Sequence, residues 1–149
     1  MVGILEIRSH TVTFRTAIEQ CSEQLRAISL KDFPRGSCGD VSDMLGMYLR
    51  EQLGIDCKYL SGQAGQQSHA WLEFEGIKID MTADQFPGTD SVIVSTESDF
   101  HRQFTARSRS QPGIGGAVGW HGSDLVHDYR LIAAKAIEVA TKTNELLRR

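Results

Sequence analysis

Cys38 stands between small residues in the stretch GSCGD, residues 36–40. A thiol attacks as its thiolate, and the start of a helix favours that form through free backbone N–H groups and the positive end of the helix dipole. Two further residues have the types such a nucleophile needs: His69 in HAWLEF and Asp80 in IKIDMT. An imidazole bonded to a carboxylate has its tautomer and orientation fixed, which suits it to take the thiol proton. Gly36 and Gly39 let a substrate carbonyl approach the backbone, where the Cys38 N–H can donate to a developing oxyanion. Gly36, Ser37 and Gly39 are therefore candidate substrate contacts. This chemistry requires neither a metal nor an organic cofactor.

The elements must bring these groups together, and the apolar pattern says how. Alternate strand residues share a face. Leu72 and Phe74 on one strand, with Ile77, Ile79 and Met81 on the next, cover the core together if Glu75-Gly76 makes a two-residue turn. That phasing pairs Phe74 with Ile77 and Leu72 with Ile79. It leaves His69, Trp71 and Glu73 on the opposite face with Lys78, Asp80 and Thr82. Trp71 then faces Asp80, and His69 is the diagonal neighbour, about 7–8 Å away at the backbone and within side-chain reach. A slip of one residue would send the isoleucines to the wrong side. Trp71 either shields the His69–Asp80 pair from water or packs the hairpin. For the thiol, Val41, Met44, Leu45, Tyr48, Leu49 and Leu53 recur at helical steps, predicting a helix from near Cys38 to Leu53 with Gly54 as its cap.

Around this centre the opening VGILEIRSHTVTF reads as a strand feeding a helix. From Thr13 a stripe through Phe14, Ala17, Ile18, Cys21, Leu25 and Ile28 predicts a helix that stops before Asp32, because Pro34 disfavours helix at the residue preceding it. A strand is expected over Cys57 to Ser61, then a polar loop, GQAGQQS, whose Gln67 borders the cleft. Val92 to Ser95 reads as a strand, followed by a polar piece of helical character through Phe104. The glycine-rich segment 108–124 reads as a loop able to fold over Cys38, bringing Trp120 and His121 to substrate. Leu125 to Arg149 is a long amphipathic helix, free either to dimerise or to dock on its own domain.

Composition sets the limits. At 149 residues, 40% apolar and 23% charged, the chain fits one ordinary globular domain of α+β class, with helices packed on an antiparallel sheet. A net charge of −3 and a pI near 5.9 give no electrostatic case for nucleic acid or an anionic membrane. The one basic cluster, RQFTARSR, reads as a solvated loop or helix end. Three cysteines without paired spacing do not make a disulfide framework or a zinc site, and MVGILEIRSH lacks the apolar core of a signal peptide, so a reducing, cytoplasmic setting is expected. Cys21 falls on the core stripe and Cys57 reads as structural. His10, His101, His121 and His127 show no partner in the sequence and are expected to be exposed.

Taken in order, Cys38 at a helix start, HAWLE with His69 and IDMT with Asp80 resemble the core of the transglutaminase-like superfamily, within the papain-like cysteine-enzyme fold. The resemblance covers residues 34 to 86. It implies acyl transfer at a carboxamide of a peptide or protein through a Cys38-His69-Asp80 triad and a thioester. The outcomes are peptide or isopeptide hydrolysis, glutamine deamidation, or transamidation to a small amine. Where papain-type enzymes carry a glutamine shortly before the cysteine to bind the oxyanion, this chain has Asp32, which leaves the second oxyanion donor open. Gln85, shortly after Asp80, either orients substrate, donates to the oxyanion or serves its loop. A catalytically silent peptide- or protein-binding module of the same fold, and an acyltransferase using a small thioester donor, are the competing expectations.

Overall fold

Glu6 reaches back to accept a 3.2 Å hydrogen bond from the Gly3 N–H, and just beyond it the first helix begins. This helix, α1 (Ile4–Cys21), buries Ile7, Thr11, Phe14, Ala17, Ile18 and Cys21 along one side. The opening is thus helical, not a strand: Ile7, Thr11 and Phe14 already stand at steps of four and three, a period that the β-branched residues conceal. The computed structural model describes residues 1–109, 112, 113 and 120–149.

α1 also ends earlier than its stripe suggests. A 3-10 turn follows at Ser22–Gln24, and Leu25 is extended. The cause lies far along the chain: the buried carboxylate of Asp128 accepts the N–H groups of Arg26, at 2.9 and 3.0 Å, and of Ala27, at 2.8 Å. Leu25 and Leu30 reach the core all the same. The second helix, α2, spans Cys38–Leu53 and closes on Gly54, whose φ of 69° is the left-handed cap that glycine adopts without strain.

Five antiparallel strands follow: β1 (Lys58–Ala64), β2 (Gln67–Phe74), β3 (Ile77–Asp80), β4 (Ile93–Ser95) and β5 (Thr105–Arg109), in the order β4-β3-β2-β1-β5. β2 and β3 pair Phe74 with Ile77 and Leu72 with Ile79, across a turn where Glu75 and Gly76 both have positive φ, the twist that two-residue hairpins favour. The GQAGQQS stretch is mostly strand, with only Gly65 and Gln66 between β1 and β2. The last five residues of the basic RQFTARSR cluster form β5, which pairs along β1. Gly62 permits that pairing, since a Cβ there would lie 3.0 Å from both Phe104 Cβ and the Thr105 oxygen.

α1 and α2 lie on the sheet and share the core with Leu72, Ile79, Met81 and Val94. A short helix, α3 (Asp99–Arg102), follows β4. The last helix, α4 (Trp120–Leu147), begins inside the glycine-rich segment and docks along α1 through Tyr129, Ile132 and Ala136. Of that segment, residues 110, 111 and 114–119, on which the expected lid depends, lie outside the described residues, as do the side chains of Trp120 and His121. Among the described residues, no helix is long and apolar enough to cross a membrane.

Pro112 and Gly113 do dock. The Gly113 N–H donates to Asp43 Oδ1 at 2.9 Å, and a Cβ at Gly46 would stand 2.3 Å from Pro112 Cγ. Gly46→Ala is therefore expected to dislodge this corner. The overpacking should outweigh alanine's helix preference and destabilise the fold by roughly 1–3 kcal/mol, read by urea unfolding.

Candidate active site

The turn before α2 presents Cys38. Ser37 is buried, and its hydroxyl donates to the Pro34 carbonyl at 2.8 Å, so this side chain shapes the turn rather than facing a ligand. Gly36, with φ 69°, is exposed beside it. The first helical bond runs from Val41 N–H to Ser37 O, leaving the N–H groups of Cys38, Gly39 and Asp40 without an intrahelical acceptor. Gly39 leaves room for the Tyr59 hydroxyl, which a Cβ at this position would approach to 3.1 Å. Cys38 is half-buried, while Cys21 and Cys57 are buried and all three are free thiols.

β2 outruns β3 beyond the Leu72–Ile79 pair, and there the Ala70 N–H faces the Cys38 sulfur and favours its ionised form. His69 reaches diagonally across to Asp80, its Nε2 lying 2.7 Å from Oδ2. With Nε2 committed, Nδ1 is the atom left to face the thiol; Gln85 Nε2 lies 2.9 Å from it and donates to it only while Nδ1 carries no proton. The Gln85 amide also faces the Cys38 sulfur and favours its ionised form. Asp80 Oδ1 accepts from the Thr82 N–H at 2.9 Å and from its hydroxyl at 3.4 Å. Oδ2 is shared with a second imidazole, His101 Nε2, at 2.7 Å. His69 and Asp80 are each 2% exposed and His101 3%.

The electrostatics follow from these contacts. Burial by itself would lower the His69 pKa, but hydrogen bonds to Asp80 and Cys38 and the charges on both raise it to about 9. Burial would raise that of Asp80, yet the two imidazoles bring it down to about 2. For Cys38, burial is outweighed by the hydrogen bond and charge of His69, the Ala70 N–H and the Gln85 amide, so the thiol ionises below its ordinary value. Cys57 lacks such help and burial pushes it up to about 12. Burial also raises Cys21, so of the three cysteines Cys38 is the one whose thiol is shifted toward the thiolate.

Of the other residues read from the sequence, Trp71 is buried and stacks on His69 with centroids 5.8 Å apart, and Gln67 is exposed at the start of β2 beside the turn. The expectation that His101 is exposed and unpartnered fails, because FHRQF folds inward over the sheet. Phe86, Phe100 and Phe104 surround the His69 ring at 5.1, 5.6 and 5.7 Å. His10 and His127 are half-buried, against Tyr48 and Asp128. Arg15 of α1 was likewise not singled out by its sequence neighbourhood. It grips the turn that carries Gln85, donating to Met81 O at 2.7 Å and to both Asp84 oxygens at 2.8 and 2.7 Å. Its position on the flank of a helix stripe gives no signal for that role.

His69, Asp80 and His101 are also the described residues with metal-ligand character, their ligand atoms lying within 4.8 Å of one another. Each N···O contact here is a hydrogen bond, so a divalent ion would have to displace both ring protons from the carboxylate. Comparisons with protein-family models, curated proteins and solved structures find no match for this chain.

Native protein treated with iodoacetamide at pH 7 should label at Cys38 and spare Cys21 and Cys57. An unassisted thiol is about 3% ionised at that pH, so His69→Ala should slow labelling by up to about 30-fold, read by peptide mass spectrometry.

Proposed function

We propose that the chain is a cysteine-dependent acyl-transfer enzyme of transglutaminase-like type, with a papain-like core, acting on a carboxamide of a peptide or protein. The observation that carries this reading is the convergence on one sulfur of a helix N-terminus, the Ala70 N–H, the Gln85 amide and an imidazole held by a buried carboxylate. The motif resemblance supports the same chemistry and supplies the substrate class.

The steps follow from the contacts. The Cys38 thiolate attacks the carboxamide carbon; a C–S bond forms and the carbonyl electron pair moves to oxygen. That oxyanion meets the free N–H groups of the first α2 turn, and the Gln85 amide provides the second donor that Asp32 cannot. The intermediate collapses, the C–N bond breaks, and His69 Nδ1–H gives its proton to the leaving amine or ammonia. Water or an amine then attacks the thioester, His69 takes the attacker's proton, and the C–S bond breaks to restore the thiolate. Asp80 remains ionised throughout and keeps the ring edge on the sulfur.

The pH dependence has a determined sign. The rate rises as Cys38 ionises, below the ordinary thiol range. His69 must be protonated to release the amine, and its raised pKa keeps it so until pH climbs through about 9. A bell-shaped kcat/KM profile should result, its limbs belonging to the Cys38–His69 pair as a unit. Incubation with glutaminyl peptides followed by acid quench should show an acyl adduct on the intact protein that Cys38→Ala abolishes. Gln85→Ala should lower kcat by about 100-fold or more if its amide serves the oxyanion. A protein that binds such peptides with no adduct and labels all three cysteines slowly is a binding module instead.

A further inference from the structure

The triad reading gives Asp80 one imidazole to orient, yet the carboxylate holds two. His101 is buried to 3% exposure, and burying an imidazole is unfavourable unless its nitrogens are bonded. Both are: Nε2 stands 2.7 Å from Asp80 Oδ2, and Nδ1 stands 2.6 Å from Ser98 Oγ. Ser98 caps α3, its Oγ accepting the His101 backbone N–H at 3.3 Å. Asp80, held ionised, can only accept, so the His101 nitrogen 2.7 Å from it, Nε2, carries a proton aimed at the carboxylate. With that proton on Nε2, the Ser98 hydroxyl can donate to Nδ1 while one of its two lone pairs keeps the backbone N–H.

The effect falls on the geometry of Asp80. The Thr82 N–H and hydroxyl hold Oδ1, but hydrogen bonds tolerate some rotation of the planar carboxylate about Cβ–Cγ, and that rotation carries Oδ2 off a neighbour that reaches it only diagonally. A second N–H on Oδ2 pins it. The ring that supplies this N–H is itself fixed by Trp71, at 4.7 Å, and Phe100, at 4.9 Å. The groups facing Asp80 are then His69 from β2, Thr82 after β3 and His101 from α3, and those facing Cys38 are His69, Gln85 and the Ala70 N–H.

Resting on the acyl-transfer reading, we propose that His101, its ring anchored by Ser98, is a positioning residue that locks the Asp80 carboxylate and through it the alignment of His69 with Cys38. The direction of the effect on the thiol separates this role from a purely electronic one. Removing a donor from Asp80 without moving it would strengthen its pull on His69 and ionise Cys38 more easily. Loss of alignment does the reverse.

The test is the pH profile of Cys38 alkylation by iodoacetamide in the full chain, with circular dichroism to verify folding. His101→Phe keeps the ring shape without the donor and should raise the midpoint by roughly one pH unit, about a tenfold loss of thiolate well below both midpoints. His101→Gln returns an N–H at the place of Nε2 and should recover most of the shift. Ser98→Ala removes the anchor on Nδ1, should shift the midpoint in the same direction by less, and decides the matter should His101→Phe not fold. A midpoint unchanged or lowered in the folded phenylalanine variant, or no recovery with glutamine, overturns the role of His101 while leaving the triad intact. An ordinary thiol midpoint in the unsubstituted protein overturns the acyl-transfer reading and this role with it.

Discussion

A carboxylate sealed from water, with every approach to its oxygens taken by a hydrogen-bond donor, is the constraint on which the site depends. Asp80 is 2% exposed and accepts from the Thr82 backbone and hydroxyl and from two imidazoles. An isolated charge at such depth would neutralise itself by taking up a proton; this one is held ionised by its donors. Because it stays charged, the adjacent imidazole holds a proton that the interior would otherwise strip from it. Because that imidazole is charged, the half-buried Cys38 thiol ionises more readily than an ordinary thiol. The charges form one chain, and each is tolerable only beside the next.

The scaffold supplies this chain from three independent directions. The hairpin sets the His69–Asp80 diagonal by strand phase. The helix beneath it brings the sulfur in at its first turn, where unpaired N–H groups gather. The turn after β3 returns Gln85 to the same point, and Arg15 holds that turn from the other side of the core. Above the sheet, Phe86, Phe100, Phe104 and Trp71 close around the ring, so that water reaches the sulfur more readily than the proton network behind it.

How much of this the amino-acid order discloses depends on the range of the forces involved. α2 was legible to its end because an apolar stripe and a glycine cap are local signals, and the hairpin register because a slip would expose Ile79. Cys38, His69 and Asp80 stood out by type and by the elements carrying them. His101 did not, since its partner is remote and the residues around it have no period. The GQAGQQS and RQFTARSR segments misled for a related reason: polar side chains suggest loops, but strand pairing is made by the backbone, which is the same for every residue. The early end of α1 belongs with these, as no local feature announces that Asp128 will take its N–H groups.

That last contact has a bearing on biosynthesis. The peptide leading from α1 to the cysteine turn finds the acceptor for its Arg26 and Ala27 amides on the final helix, more than a hundred positions downstream. A ribosome delivers the chain from its N-terminus, so this approach to the thiol is without its anchor until the closing third has emerged. Cys38 is translated long before that anchor, so the contact that ties down its approach can close only once Asp128 has emerged.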